Sequence, residues 1–323
     1  MNDKVRSFVR FSWLVIAVNL VVIAGGAMVR ATGSGAGCGS HWPDCNGEIV
    51  PLAPSLETTI EYTHRTTSGL ALLLVLAQVV WAFRLFPRAA GPHVVRRSAV
   101  LGLVFILLEA LIGAALVKLE LVGTNASMWR ALIVGGHLVN TFLLVGALTA
   151  TPLLAARMES SIRMSSMPLR TAWTVAVVLL LMVGAAGAIT ALGDTLFPSE
   201  TLAAGMAADT AHDAHLLVRL RIVHPLLAVL AYFYLIGLSV MGPASLSQRP
   251  DAAAALKPAA RLVTALATAQ IACGFLDLLL LAPLWLQMVH LVLADVVWMA
   301  LIAMGLRLAS LPTGATQSRE QTA

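Results

Sequence analysis

Long apolar runs separated by short polar stretches dominate the chain from about residue 11 to residue 307. A bilayer hydrocarbon core of about 30 Å is crossed by roughly 20 apolar residues in helical form. Eight segments meet that length: 11–29, 63–84, 98–117, 131–153, 171–192, 217–239, 260–281 and 286–307. The pattern predicts an all-α polytopic membrane protein with eight transmembrane helices.

Composition agrees. Of 323 residues, 59% are hydrophobic and 11% charged, with a mean hydropathy of +0.87. A soluble domain of this size has no interior large enough for so much apolar surface. The opening "MNDKVRSFVR" runs into the first apolar segment with no small-residue cleavage site behind it, so it reads as a first helix and not as a cleavable signal. The pI near 9.6 points to loop charge asymmetry; no nucleic-acid partner is expected. Eight spans put both termini on one side. Six of the 21 Lys and Arg residues (Arg30, Arg65, Lys118, Arg130, Arg219 and Arg221) fall on the opposite side. The other fifteen, Arg88, Arg163 and Arg319 among them, fall with the termini, which are therefore expected to be cytoplasmic. The outer side holds the two longest loops, 30–62 and 193–216, and most of the acidic residues, so function is expected to face outward.

The chain also repeats itself. At an offset near 160 residues, "GGAMVRATGS" (25–34) lies over "AAGAITALGD" (185–194), and "EYTHRTTSGL" (61–70) over "RIVHPLLAVL" (221–230). "GHLVNTFLLVGAL" (136–148) lies over "VHLVLADVVWMAL" (289–301) at a slightly shorter offset. Two halves, 1–160 and 161–323, thus read as pseudo-symmetric four-helix bundles. Because four is even, both enter the membrane from the same side, giving a parallel repeat.

The repeat superposes His64 on His224 and His137 on His290. Each lies within about two turns of the outer end of an even-numbered helix. Ionisable groups in membrane helices are rare and usually functional, although a single helix-end histidine also serves as an interhelical hydrogen-bond group. Two imidazoles facing each other within a bundle suit axial ligation of a haem iron. Zinc asks for a tetrahedral set that the neighbouring residues do not repeat. Small residues near the sites (Gly69, Gly113, Gly135, Gly136 and Gly274) leave room for a flat macrocycle or for close helix packing.

The halves differ beside the histidines. Glu61 in the first is matched by Arg221 in the second. Arg221 and Arg219 suit haem propionates, since a guanidinium pairs with carboxylates in bidentate fashion. Glu61 suits proton handling or charge stabilisation at a reacting carbon; a solvated residue at the helix mouth is the plain alternative. Glu57 reads as a surface residue. The intramembrane acids Glu109, Asp277 and Asp295 are expected to hydrogen-bond between helices. Cys38 and Cys45 flank "GSHWPD" in the outer loop, where a disulfide is favoured, either as a staple or as a redox-active pair. Cys273 reads as a core thiol.

Taken together, "GAMVRATGSGAGCGSHWPDCNG", "IEYTHR", "GGHLVN", "RIVHP" and "VHLVLAD" resemble the haem A synthases of bacteria and mitochondria over nearly the whole chain. The resemblance implies oxidation of one methyl group of haem O to a formyl group by successive hydroxylations, giving haem A for cytochrome oxidase. It implies that His224 and His290 hold a resident haem b, that His64 and His137 take the haem substrate, and that Glu61 is the catalytic carboxylate. Cys38 and Cys45 match the family's outer-loop pair; the second pair of some members has no counterpart in residues 193–216. Implied partners are haem O, a haem O synthase, cytochrome oxidase assembly factors and membrane lipid, with a homo-oligomer left open. The implied location is the bacterial cytoplasmic (inner) membrane, with the haem sites toward the outer face. A bis-histidine b-type cytochrome for electron transfer, or a haem transporter or delivery protein, are the alternatives.

Overall fold

The computed structural model describes residues 2–87, 93–157 and 167–309. Arg88, Arg163, Arg319 and the 160/161 boundary between the expected halves lie outside the described residues. Helix α1 spans Asp3–Ala31, α2 Leu56–Leu85, α3 Val94–Lys118, α4 Met128–Arg157 and α5 Met167–Leu196. After α6 (Leu202–Thr210), α7 (Leu216–Arg219) passes through a 3-10 turn, Leu220–Ile222, into α8 (Val223–Ala244). Helices α9 (Pro250–Leu279) and α10 (Leu284–Ala309) complete the chain. Among the described residues eight helical stretches are long and apolar enough to cross a membrane, with α7 and α8 forming one of them, Leu216–Ala244.

The helices extend most of the expected segments, mainly at the ends on the side of the termini, as in α1 and α9, and for α2 at the outer end. Polar flanking residues are as helical as the apolar ones; they lie where hydropathy falls and capping takes over. The Asn2 side chain accepts the Lys4 N–H at 2.9 Å to start α1, and Ser55 accepts the Thr58 N–H at 3.1 Å to start α2; such caps satisfy donors that the first turn leaves free. Within 193–216, expected to be loop, α6 forms with Thr201 accepting the Ala204 N–H at 3.1 Å.

Helices α1, α2, α3 and α4 pack in a closed ring of neighbours, while α5, α8, α9 and α10 pack around one another. The two sets meet where α4 lies against α5 and α10, and α1 against α10. A tryptophan anchors this seam, and a second ties α5 to α10 within the second set. Trp298 of α10 stacks on Phe142 of α4 at 5.3 Å between ring centroids, and its Nε1 donates to the Phe142 carbonyl at 2.6 Å. Trp173 of α5 donates to the Leu301 carbonyl at 3.0 Å and lies over Gly305, where a Cβ would stand 2.4 Å from its Cε2. Small residues let these helices approach closely, as membrane helix packing requires. Large apolar side chains such as Leu14, Val21, Leu111 and Phe233 point outward instead, the arrangement expected where the surrounding solvent is lipid.

Candidate functional site

His64, His137, His224 and His290 stand on α2, α4, α8 and α10. With spans alternating in direction, all four come to the same end of the molecule. His64 lies on Gly26 of α1, where a Cβ would stand 3.0 Å from its Cε1, and His224 lies on Gly187 of α5, with the same 3.0 Å approach. The sequence register sets Gly187 over Ala27; the packing puts it in the role of Gly26, because a ring this close tolerates no side chain. His290 is likewise seated on Gly274 of α9, at 2.9 Å.

The rings of His224 and His290 are 6.3 Å apart and perpendicular. A metal held between two imidazole nitrogens at roughly 2.0–2.1 Å from each sets ring centroids about 6 Å apart. Nδ1 of His224 lies 3.1 Å from the Val183 carbonyl, so as the donor there it leaves Nε2 as the free lone pair. Nδ1 of His64 and of His290 are buried without a hydrogen-bond partner. Beside the first pair, a Cβ at Gly69, Gly113 or Gly136 would meet nothing within 4 Å. Gly135, in contrast, brings α4 against the Ala185 carbonyl of α5 and serves packing. Among the described residues no three His, Cys, Asp or Glu side chains gather as a metal site. Paired imidazoles beside open space are the donor set that a haem iron uses.

Cys38 and Cys45 form a disulfide, with Cα atoms 4.4 Å apart. Their loop is clamped onto α2. The Glu61 carboxylate accepts the Cys38 N–H through Oε2 at 2.8 Å and the Arg65 guanidinium through Oε1, at 3.1 Å from Nε and 2.5 Å from Nη2. Arg65 in turn donates to the carbonyls of His41 and Asp44, each at 2.7 Å, and Thr58 donates to that of Gly37 at 2.7 Å. Glu61 is 3% exposed, which removes the reading of a solvated helix end. Arg65 and a backbone N–H take the place of water around this buried carboxylate. Glu57, one turn earlier, is exposed as expected.

In the second half Arg221 is buried as well, and its guanidinium bridges Asp209 at 2.8 Å and Asp194 at 3.2 Å. Asp194 and Asp209 of the outer face thus take the donors that the sequence reading offers to propionates. Arg219 remains exposed, lining a surface hollow with Asp209, Thr210 and Leu216.

Three side chains to which sequence reasoning assigned no part in the site join it, Glu109 by the interhelical hydrogen bond expected of it. Arg30, at the outer end of α1, donates to the Ala191 carbonyl and Thr195 Oγ1 of α5, both at 2.6 Å, and to Gln287 of α10 at 2.9 Å. Glu109 of α3 contacts Nδ1 of His137 and accepts from Thr141. The Gln270 amide nitrogen of α9 lies 3.2 Å from Nε2 of His290. A signal for the last two existed: each stands four residues before a glycine, Gly113 or Gly274. The hydrogen bonds expected for Asp277 and Asp295 are not made. Oδ1 of Asp277 and both Asp295 oxygens are buried without partners. Cys273 is a free thiol, half-buried.

Residues 9–302 match the COX15-CtaA family, described as cytochrome oxidase assembly protein. The chain belongs to this family. It is 40% identical over 296 residues to proteins of two Thermus thermophilus strains named protoheme IX farnesyltransferase; the match covers 90% of this chain and 47% of theirs. It is also 44% identical over 108 residues to the heme A synthase of Bacillus mycoides, across 32% of this chain and 34% of that one. The chain thus spans about half the length of the Thermus relatives it matches.

Proposed function

We propose that the chain is a haem A synthase: an oxidoreductase that takes haem O as substrate and oxidises one ring methyl to a formyl group through successive hydroxylations. The observation that carries this reading is the pairing of imidazoles, seen most directly in the 6.3 Å separation of His224 and His290, in a chain whose family match runs from residue 9 to 302. Two four-helix halves, 1–160 and 161–323, form a parallel repeat with one haem place each. His224 and His290 hold a resident haem b, which supplies one-electron redox chemistry when bound. Arg219 is the guanidinium free to meet a propionate, and Arg221, held by Asp194 and Asp209, shapes the outer wall beside it.

The reacting half holds the substrate haem between His64 and His137. There Glu61 supplies a buried carboxylate one turn from His64, and the disulfide loop it anchors closes the site from the outer side. A charge kept in a water-poor pocket acts strongly on positive charge developing nearby. The outer face of the bacterial cytoplasmic membrane, with both termini inside, is the location in keeping with the loop charges.

The name of the Thermus proteins concerns transfer of a farnesyl group to protohaem. Half of their length lies outside this match, so prenyl transfer has room there. A farnesylated haem is also the class of compound this chain would oxidise, which supports a haem O synthase as its partner. The four imidazoles favour oxidation over prenyl transfer as the activity of this chain itself.

Purified protein tests the cofactor half of this reading. His224→Ala and His290→Ala are expected to lose a low-spin b-type spectrum that His64→Ala retains. The opposite pattern would mean the halves are assigned the wrong way round, and a full spectrum in all three variants would remove the haem reading.

A further inference from the structure

Glu109 and Gln270 occupy equivalent places in the two halves. Each lies on the helix preceding the last histidine of its half, four residues before a glycine, in "EALIG" (109–113) and "QIACG" (270–274). Each points its side chain at that histidine: Glu109 at Nδ1 of His137, Gln270 at Nε2 of His290, 3.2 Å away. Thr141, one turn beyond His137, donates to the Glu109 carboxylate while also reaching the His137 carbonyl at 3.0 Å. The carboxylate is thereby held against the ring from two directions. The second half has an amide where the first has an acid. The two side chains stand at matched places in the fold and differ in charge, and they approach different ring nitrogens, Nδ1 of His137 and Nε2 of His290.

From this juxtaposition we infer that Glu109 is a positioning residue that tunes the substrate-side iron through His137, and that Gln270 leaves the resident haem untuned. The inference rests on the ligand reading proposed above. A carboxylate on the distal N–H of a metal-bound imidazole fixes the tautomer, turns the other nitrogen to the metal, and raises the ligand's basicity. An axial ligand made more basic favours the ferric over the ferrous state, since axial-ligand character is one of the protein's levers on a haem. An amide fixes orientation but carries no net charge, so it moves the iron much less. The two haem places of one small protein would thus differ in potential by design: the site that must be oxidised is made electron-rich, and the site that relays electrons is not. The Glu61 and Arg221 asymmetry lies one wall away, at the outer loops; this second asymmetry acts on the iron itself.

The experiment is a spectroelectrochemical titration of the purified chain loaded with haem b in both halves, haem b serving as a probe that is not prenylated. The two waves are assigned by which disappears in His137→Ala and which in His290→Ala. Glu109→Gln is expected to raise the potential of the His137 wave. The oxidised-to-reduced ratio at a fixed potential should fall about tenfold, about 59 mV for a one-electron couple, with the His290 wave unmoved. The reciprocal variant, Gln270→Glu, is expected to lower the His290 wave and leave the other in place, so the inference does not depend on one variant folding. Low-spin spectra should persist in both. If haem stays bound and neither wave moves, or if both waves move together in each variant, Glu109 is only a packing residue and the inference fails. If His137→Ala removes no wave, the ligand reading itself fails, and the tuning role with it.

Discussion

Glu61 joins the disulfide loop to the helix that carries His64, so its replacement separates two consequences. Glu61→Gln keeps an acceptor for the Cys38 N–H but loses the ion pair to Arg65. Haem A formation is expected to fall at least about tenfold, roughly 1.4 kcal/mol of transition-state stabilisation, while membrane insertion and the resident haem persist; an unchanged rate of haem A formation would remove Glu61 from the chemistry. Arg65→Met is expected to do more structural harm, because breaking a buried pair from the cationic side leaves an uncompensated carboxylate, at a cost of about 3–5 kcal/mol. Limited proteolysis of the 32–55 loop should therefore be faster in Arg65→Met than in Glu61→Gln. The spacing of Glu61 and His64 was legible in sequence. That Glu61 reaches back 23 residues to Cys38 was not, since loop trajectories are set by tertiary contacts that no local pattern encodes.

At the scale of helices, apolar runs carried most of the information. Each of the eight expected spans corresponds to a helical stretch, because a hydrocarbon solvent leaves the backbone no alternative to internal hydrogen bonds. Helix ends and α6 escaped, since they depend on caps such as Ser55 and Thr201. The pairing of Gly187 with His224 escaped for a related reason: similarity fixes a register only to about a residue, whereas a ring seated on bare backbone fixes it sterically. Two glycines make this testable. At Gly37 a Cβ would stand 2.5 Å from the Glu57 backbone carbon, so Gly37→Ala should push the cysteine loop off α2 and increase its proteolysis. At Gly305 the obstacle is Trp173; overpacking of this kind costs about 1–3 kcal/mol. Gly305→Ala should accordingly lower the thermal midpoint in detergent without altering the loop. A midpoint equal to that of the parent protein would mean the α5–α10 seam yields freely.

The whole molecule joins its two helix sets through Trp298 on Phe142 and Arg30 across the outer ends, while Trp173 ties α5 to α10 within one set. None of these was evident from hydropathy, because an indole or guanidinium that bridges helices resembles in sequence one that lies at the membrane interface. The cysteines give a check at this scale: mapping under non-reducing conditions should find Cys38 bonded to Cys45 and Cys273 as the single free thiol, and a free thiol at Cys38 would contradict the clamped loop. The central claim is the conversion of haem O to haem A, and it is tested most directly by co-expressing the chain with a haem O synthase in cells that lack haem A and separating the extracted haems by chromatography. The expected result is haem A, together with a hydroxylated haem intermediate, in cells carrying the chain, and haem O alone in cells carrying His64→Ala. Haem O alone in both would contradict it.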